Sequence, residues 1–351
     1  MLHCLMLLSV ALAVLLLPAA GAQASGQSGP TYTNPVGGDI RMGDPFVLLH
    51  EGTYYLYGTT AGDGFKCWRS PDLVHWKPLG YAYRRADDSW GRGSFWAPEV
   101  FRHRGRFYMA FSCRRDRDRG YRLCLAAADS PEGPFWEVHA PWCDIGWSCI
   151  DAHVFIDDDG TPYLYFAKVG VVGEPWKEPS EGYLYGMIYA LRLEDDLSAP
   201  AGEPVLCVRA EQEWEDPDSM HSRCNEGAFV LKRGGRYYMT YSAGHYASPR
   251  YGIGCATAPS PLGPWTKSSS NPLACTRREI GVSGPGHNSI TTSPDGTQLF
   301  MVYHAHADPK QPSGNRTVNI DRIVFDGDGD MKLIGPTRTP QPMPSGAAPP
   351  G

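Results

Sequence analysis

The chain has 351 residues, with 40 Gly, 31 Pro and an aromatic share of 12%, and helical apolar periodicity is absent beyond its N-terminus. This composition predicts an all-β protein of many short strands joined by turns. The formal net charge of −6, without a basic patch, argues against a nucleic-acid partner. Beyond the N-terminus, no segment is long and apolar enough to span a membrane.

The chain begins with an apolar run from Leu5 to Pro18, followed by the small residues Ala20-Gly21-Ala22. This pattern is typical of a secretory signal peptide, which we predict over residues 1–22, although no Lys or Arg precedes the run. A polar linker (23–30) and the main domain (31–335) follow, and the Pro-rich residues 336–351 are predicted to be a disordered tail. We therefore expect a secreted or periplasmic protein.

Five aromatic strands recur along the main domain, each after a tight turn. They start about 53 to 75 residues apart, which is a spacing typical of propeller blades with insertions. Upstream of each strand lies a residue that could carry chemistry; in chain order these are Asp44, Glu99, Asp151, Glu226 and the pair His287-Asn288. The first strands of propeller blades all point their starts at one shared face. The repeat therefore predicts a five-bladed β-propeller with converging acids, and the alternative is a β-sandwich with acidic residues in its turns.

Asp44 stands between Gly43 and Pro45, immediately before an apolar strand. Gly43 permits an unusual backbone angle, and Pro45 is expected to hold Asp44 in an extended conformation. A carboxylate fixed in this way suits the role of a general base. The alternative is an Asp in a turn that caps a backbone amide.

Two further acids begin apolar strands. Asp151 is flanked by Ile150 and Ala152, so its carboxylate loses hydration and should be functional or hydrogen-bonded. Glu226 precedes Gly227-Ala228, which leaves space for a ligand, and its alternative is a solvent-exposed Glu at a strand edge.

Three carboxyl groups around one dry axis cannot all stay ionised, because burial and mutual repulsion raise the pKa of at least one. Glycoside hydrolysis needs such a difference, since one carboxylate activates water while one carboxylic acid protonates the leaving oxygen. A third negative charge can keep that acid protonated and orient it.

One known family has these motifs in the same order. The chain resembles glycoside hydrolase family 43 from about residue 34 to residue 325, through Gly43-Asp44-Pro45, Trp96-Ala97-Pro98-Glu99, Ile150-Asp151-Ala152, Asn225-Glu226-Gly227 and Gly284-Pro285-Gly286-His287-Asn288. The resemblance implies a five-bladed β-propeller and an inverting mechanism. It implies that Asp44 is the general base, Glu226 the general acid, and Asp151 the residue that tunes the pKa of the acid and orients it. Inversion predicts a separation of about 6.5–9.5 Å between the base and acid carboxyls.

The resemblance assigns supporting roles to three more residues. Trp96 would form an apolar wall for the sugar, or else pack between blades. Arg316 would contact substrate hydroxyls and a carboxylate, or else lie in a surface loop. His287 would help to hold a calcium ion in the channel, mostly through water, or else bond strand carbonyls; no other cofactor is expected, and no zinc-ligand spacing occurs.

Family 43 enzymes mostly release α-L-arabinofuranosyl or β-D-xylosyl units from plant cell-wall polysaccharides. The resemblance therefore implies an oligo- or polysaccharide substrate and an α-L-arabinofuranosidase or β-D-xylosidase. The alternatives are a galactan-active member of the family and a non-catalytic, carbohydrate-binding propeller.

Nine cysteines follow Cys4 of the predicted signal peptide, an odd number that leaves at least one without an intrachain partner. Export permits disulfides. Cys143 and Cys149 flank a short loop, and Cys113 and Cys124 could face each other across a hairpin. The alternative is that the cysteines serve as small buried apolar residues.

Overall fold

Five sheets of four antiparallel strands follow one another along the chain in the computed structural model, which describes residues 29–115, 120–170, 186–216 and 223–347. Each sheet is a meander of consecutive strands, and we number the sheets as blades 1 to 5. The strands of blades 1, 2 and 3 are, in order, β2 (Gly43–His50), β3 (Thr53–Thr59), β4 (Gly64–Ser70), β5 (Lys77–Arg84); β6 (Gly93–His103), β7 (Arg106–Arg114), β8 (Arg122–Ala128), β9 (Trp136–Trp142); and β10 (Cys149–Ile156), β11 (Pro162–Lys168), β12 (Met187–Arg192), β13 (Val205–Val208).

The strands of blades 4 and 5 are β14 (Asn225–Arg233), β15 (Arg236–Ala243), β16 (Gly252–Ala258), β17 (Thr266–Lys267); and β18 (Gly286–Thr292), β19 (Leu299–His306), β20 (Arg316–Phe325), β21 (Met331–Ile334). A separate two-stranded sheet pairs β1 (Thr31–Tyr32) with β22 (Gln341–Pro342). Short 3₁₀ helices span Glu213–Glu215 and Arg278–Ile280.

A hydrophobic cluster fills each junction between neighbouring blades. The junction of blades 1 and 2 contains Phe65 and Phe111, with ring centroids 5.3 Å apart, and the junction of blades 5 and 1 contains Leu56 and Val302. Equivalent clusters join blades 2 and 3, blades 3 and 4, and blades 4 and 5. Because a blade packs on both faces, an inner strand can be buried over consecutive residues, as in β8, where the six residues from Leu123 to Ala128 are buried. The predicted five-bladed β-propeller is confirmed.

The first strands contact one another around the axis, and each carries a β-bulge near its start. In every bulge one residue has a left-handed backbone, with φ of 55° at Asp44, 46° at Ala97, 59° at Asp151, 59° at Gly227 and 43° at His287. A bulge turns a side chain out of the regular pleat. The expected extended conformation of Asp44 is therefore wrong, because the bulge outweighs the preference that Pro45 imposes.

The N-terminal segment and the C-terminal residues both attach to blade 5. The Asn34 amide donates to the carbonyl of Ile320 and accepts its N–H, and the Thr337 hydroxyl donates to the buried Asp321. Together with the pairing of β1 and β22, these bonds order residues 336–347. The predicted disordered tail is wrong over this range, because its backbone pairs with β1 and its polar groups bond blade 5; residues 348–351 lie outside the described residues.

All nine cysteines among the described residues are free. Cys149 packs in the apolar cluster between blades 2 and 3, Cys143 lies against the same cluster, and burial raises the pKa of both thiols to about 12. The sulfurs of Cys113 and Cys124 are 3.2 Å apart as thiols. Seven of the nine are small buried residues, Cys143 is partly buried and Cys275 is exposed, and neither disulfide considered from the sequence is formed.

No helix within the described ranges is long and apolar enough to cross a membrane. The predicted signal peptide (1–22) and linker residues 23–28 lie outside those ranges.

The attachment of the C-terminal residues to blade 5 can be tested with Thr337→Val. This change leaves Asp321 buried with one donor fewer, so we expect the free energy of unfolding to fall by about 1–3 kcal/mol. Chemical denaturation of Thr339→Val, at an exposed site, is the matched control, expected within about 0.5 kcal/mol of wild type. Equal stability of both variants would contradict an ordered C-terminal segment.

Candidate active site

The backbone N–H of each bulge residue donates to a side chain of the preceding blade. The five bonds, 2.6–3.1 Å long, run from Asp44 to His304 Nδ1, from Ala97 to Thr59 Oγ1, from Asp151 to Ser112 Oγ, from Gly227 to Asp151 Oδ2 and from His287 to Ser242 Oγ. Bulged N–H groups cannot join the strand ladder, and burial without a partner would be costly. This ring of bonds fixes the five bulges relative to one another at one end of the channel.

Asp44 is a buried carboxylate surrounded by donors and positive charge. Its Oδ1 accepts a 2.9 Å bond from Nη1 of Arg316, and its Oδ2 accepts a 2.5 Å bond from the Thr59 hydroxyl. Burial by itself would raise the pKa of Asp44. The charge of Arg316, with smaller contributions from His287, His304 and the Thr59 bond, outweighs burial and holds this pKa well below its usual range. Asp44 is therefore ionised at neutral pH.

Arg316 reaches Asp44 because residue 43 is glycine. A Cβ at Gly43 would lie 2.0 Å from the guanidinium carbon of Arg316, so a larger residue would displace the arginine. The guanidinium also lies over the ring of Tyr246, 5.0 Å from its centroid. Arg316 is thus a buried residue that forms a salt bridge with Asp44, and it does not lie in a surface loop.

Asp151 lies on the other side of His287 from Asp44 and has the opposite electrostatic character. The pKa of Asp151 is raised to about 8. Burial is the main cause, the charges of Glu226 and Asp44 also raise this pKa, and His287 lowers it. One buried carboxyl in the group thus holds a proton near neutral pH, as the sequence predicted. The bond from the Gly227 N–H ties this carboxyl to the residue that follows Glu226.

Glu226 has two neutral neighbours and remains partly accessible to solvent. The hydroxyl of Tyr251 donates a 2.7 Å bond to Oε1, and Sγ of Cys224 lies 3.4 Å from Oε2. Among the described residues, no ion pair joins Glu226 to a basic side chain. The hydrogen-bond donors of Glu226 are therefore neutral, whereas those of Asp44 include a guanidinium.

His287 lies between the carboxyls, with Nδ1 3.4 Å from Asp44 Oδ1 and 3.8 Å from Asp151 Oδ2. Burial lowers the pKa of His287, but Asp44, Asp151 and Glu226 raise it above its usual value. The expected calcium ion finds few protein donors here, because no group of three or more His, Cys, Asp or Glu in the described ranges could hold a metal. Calcium prefers oxygen ligands, so a bound ion would be held mainly by water, and its presence stays a prediction.

Aromatic side chains form the rim of this end of the channel. The ring of Trp96 lies against that of Tyr121, with centroids 4.6 Å apart, and Tyr246 is 41% exposed above Arg316. Trp96 pairs with Ser112, whose hydroxyl binds the Asp151 backbone, so it lies at the same end of the channel as the carboxyls. Rings with open faces are suited to pack against a sugar.

The structure brings together Asp44, Asp151, Glu226, His287 and Arg316, with Trp96 at the rim. Glu99 does not join them, because its carboxylate bonds Nδ1 of His153 at 2.6 Å. Sequence reasoning missed Thr59, Ser112, Ser242 and His304, although each comes within two residues after the last aromatic residue of its aligned strand. A polar residue repeated at that position was an available signal. Tyr251 and Cys224 gave no comparable signal.

The arrangement combines an ionised carboxylate beside a guanidinium with two carboxyls in a less charged environment, one of them protonated near neutral pH. The ionised carboxylate can accept a proton, and acid–base hydrolysis pairs such a group with a second carboxyl that donates one.

Comparison with known proteins gives consistent matches. The family described as "Glycosyl hydrolases family 43" matches residues 32–331. A crystal structure of a thermostable family-43 glycoside hydrolase is 49% identical, with a TM-score of 0.84, over 90% of this chain and 99% of that chain. A β-D-galactofuranosidase of Aspergillus niger is 27% identical over 84% of this chain and 82% of its own length. A xylosidase/arabinosidase of Humicola insolens is 30% identical over 72% of this chain and 78% of its own length.

The link between Arg316 and Asp44 predicts a pH effect. Arg316→Gln removes a charge that lowers the pKa of Asp44, so Asp44 takes up its proton at a higher pH. If the ionised carboxylate is required, the acid limb of kcat/KM for an aryl glycoside moves upward by about one to three pH units.

The matched control is Arg322→Gln, on the same strand but at its other end, which should leave the acid limb in place. An unmoved limb in the Arg316 variant would show that this arginine does not set the ionisation of Asp44.

Proposed function

Since the chain belongs to glycoside hydrolase family 43, we propose that it hydrolyses α-L-arabinofuranosides or β-D-xylosides with inversion, using Asp44 as general base and Glu226 as general acid. The observation that carries this proposal is the contrast between two carboxyls gathered from blades 1 and 4. Asp44 is paired with Arg316, whereas Glu226 has only neutral donors and lies beside the protonated Asp151.

In this mechanism Asp44 removes a proton from a water molecule while the oxygen of that water attacks the anomeric carbon. The bond between that carbon and the leaving oxygen breaks, and Glu226 gives its proton to the leaving oxygen. Arg316 and Thr59 keep Asp44 ionised and oriented before the attack. One water is consumed, and the proton taken up by Asp44 later returns Glu226 to its starting state through solvent.

Asp151 acts on the acid and does not touch the reacting bond in this proposal. The Asp151 N–H donates to Ser112 and fixes the backbone, and the Gly227 N–H donates to the carboxyl, so this carboxyl has a fixed position beside Glu226. The two carboxyls interact electrostatically, and at a pH above the raised pKa of Asp151, about 8, the charge of Asp151 repels negative charge at the neighbouring carboxyl.

The substrate is proposed from the rim and from the relatives. Trp96 is a partly exposed aromatic residue at this end of the channel that can pack against a sugar ring, and the Humicola insolens relative is named a xylosidase/arabinosidase. The galactofuranosidase of Aspergillus niger makes a galactofuranoside the second candidate. We propose that the protein acts outside the cell, on the basis of the predicted signal peptide (1–22).

Substitution of the two acids tests their roles. Glu226→Gln and Asp44→Asn should each lower turnover by at least about a hundredfold, because each removes a proton-transfer group and keeps the side-chain shape. Circular dichroism and melting temperature would verify folding. Glu99→Gln, at a buried carboxyl outside the group, is the control and should retain most activity. Wild-type turnover in either test variant would remove the role assigned to that residue.

The stereochemical course tests inversion and the substrate together. Aryl α-L-arabinofuranoside, β-D-xyloside and β-D-galactofuranoside are screened, and proton NMR follows the first-formed sugar. We expect β-L-arabinose from the first or α-D-xylose from the second, because attack by water from the opposite face inverts the anomeric carbon. First formation of the retained anomer would overturn the assignment of Asp44 as a base, and a sugar-binding protein without activity would hydrolyse none of the three.

A further inference from the structure

Tyr251 is a buried tyrosine that lies between the acid and base halves of the site. It is 1% exposed, and its hydroxyl donates a 2.7 Å bond to Glu226 Oε1. The Tyr251 ring stacks on His304, with centroids 5.6 Å apart and planes at 3°. His304 in turn accepts the N–H of Asp44. Tyr251 therefore contacts Glu226 directly, and it is linked to the backbone of Asp44 through His304.

The ring of Tyr251 has little freedom to move. It lies directly against the backbone of Gly286, where a Cβ would come within 1.9 Å of the ring. The stack on His304 holds the ring near the backbone of blade 5, and the Tyr251 N–H donates to the carbonyl of Ser248. The hydroxyl therefore has a fixed position relative to Glu226.

The phenol of Tyr251 donates its hydrogen bond to Glu226 in the neutral form. Burial and the nearby charge of Glu226 raise the pKa of Tyr251 well above its usual value, so the hydroxyl keeps its proton. Oxygen Oε1 is thereby committed as an acceptor. Oxygen Oε2 accepts only from the thiol of Cys224, 3.4 Å away, and a thiol is a much weaker donor than a phenol.

Resting on the proposed role of Glu226, we infer that Tyr251 is a positioning residue that directs the transferable proton of Glu226 to Oε2. A protonated carboxyl carries its proton on one oxygen, and a hydrogen bond donated to Oε1 leaves Oε2 as the site for it. On reaction, the O–H bond at Oε2 breaks and an O–H bond forms on the leaving oxygen. The resulting carboxylate keeps the bond from Tyr251, which stabilises the charge left on Glu226.

The test compares leaving groups in Tyr251→Phe, which keeps the stacked ring and removes only the hydroxyl. Substrates are the phenyl and 2,4-dinitrophenyl glycosides of the sugar that the wild-type enzyme hydrolyses. Phenolate leaves poorly and needs the acid, whereas dinitrophenolate leaves without it. We expect kcat/KM to fall about tenfold for the phenyl glycoside, the effect of one hydrogen bond to a charged group, and less than about twofold for the dinitrophenyl glycoside.

A pH profile gives a second readout. A carboxylate that loses a donor holds its proton more tightly, so the alkaline limb of kcat/KM for the phenyl glycoside should move to higher pH in Tyr251→Phe. Equal losses on both substrates with an unmoved limb would mean that Tyr251 only supports the fold, and would overturn the inference.

The matched control is Tyr303→Phe. Tyr303 is fully buried and its hydroxyl donates a bond of the same 2.7 Å length to the buried carboxyl of Asp321, away from the site. This variant should lose stability without any dependence on the leaving group, and the same dependence in both variants would overturn the inference.

Glu226→Gln on the same substrate pair separates the inference from its premise. Loss confined to the phenyl glycoside in Glu226→Gln supports the acid role, whatever Tyr251→Phe does. Equal loss on both substrates in Glu226→Gln would overturn the acid role and the inference with it.

Discussion

The hydrogen bond from each bulged N–H to a side chain of the preceding blade is the interaction on which the site depends. Each first strand turns one residue into a left-handed conformation, and this removes its N–H from the ladder with the second strand. The side chain that accepts the bond comes from the neighbouring blade, so the bond satisfies a buried donor and also sets the position of one blade against the next. The carboxyl and imidazole groups at the bulges are thereby aligned as a consequence of closing the ring.

Blade 3 departs from this pattern. The residue that pairs across from the start of the bulge is Thr59, Ser112, Ser242 or His304 in the other blades, but Ala167 in blade 3. With no polar side chain at that position, the Gly227 N–H bonds the carboxyl of Asp151 instead. The same carboxyl therefore links blades 3 and 4 and lies beside Glu226. A structural bond and an electrostatic effect on the acid are combined in one side chain.

The two carboxyls proposed as base and acid differ in their surroundings, which give them different hydrogen-bond donors. Arg316, Thr59 and the backbone of blade 1 bring charge and donors to Asp44, which lowers its pKa. Blade 4 supplies only the neutral Tyr251 and Cys224 to Glu226. A radial fold achieves this contrast because each blade contributes its own neighbours to a common centre. His287 lies close to these carboxyls, and their negative charges raise its pKa.

Arg316 was assigned through the resemblance to family 43. The sequence by itself determined the five-bladed fold, because an aromatic hairpin preceded by an acid or His repeats five times, and the same repeat marked Asp44, Asp151, Glu226 and His287. Those features lie in local motifs with a regular spacing. Only the tertiary structure decided the left-handed backbone of Asp44, the bond of Glu99 to His153, the ordered residues 336–347 and the contact of Tyr251 with Glu226. Each of these features depends on a contact with a neighbouring blade or strand. The spacing of residues along the chain does not show which side chains make such contacts.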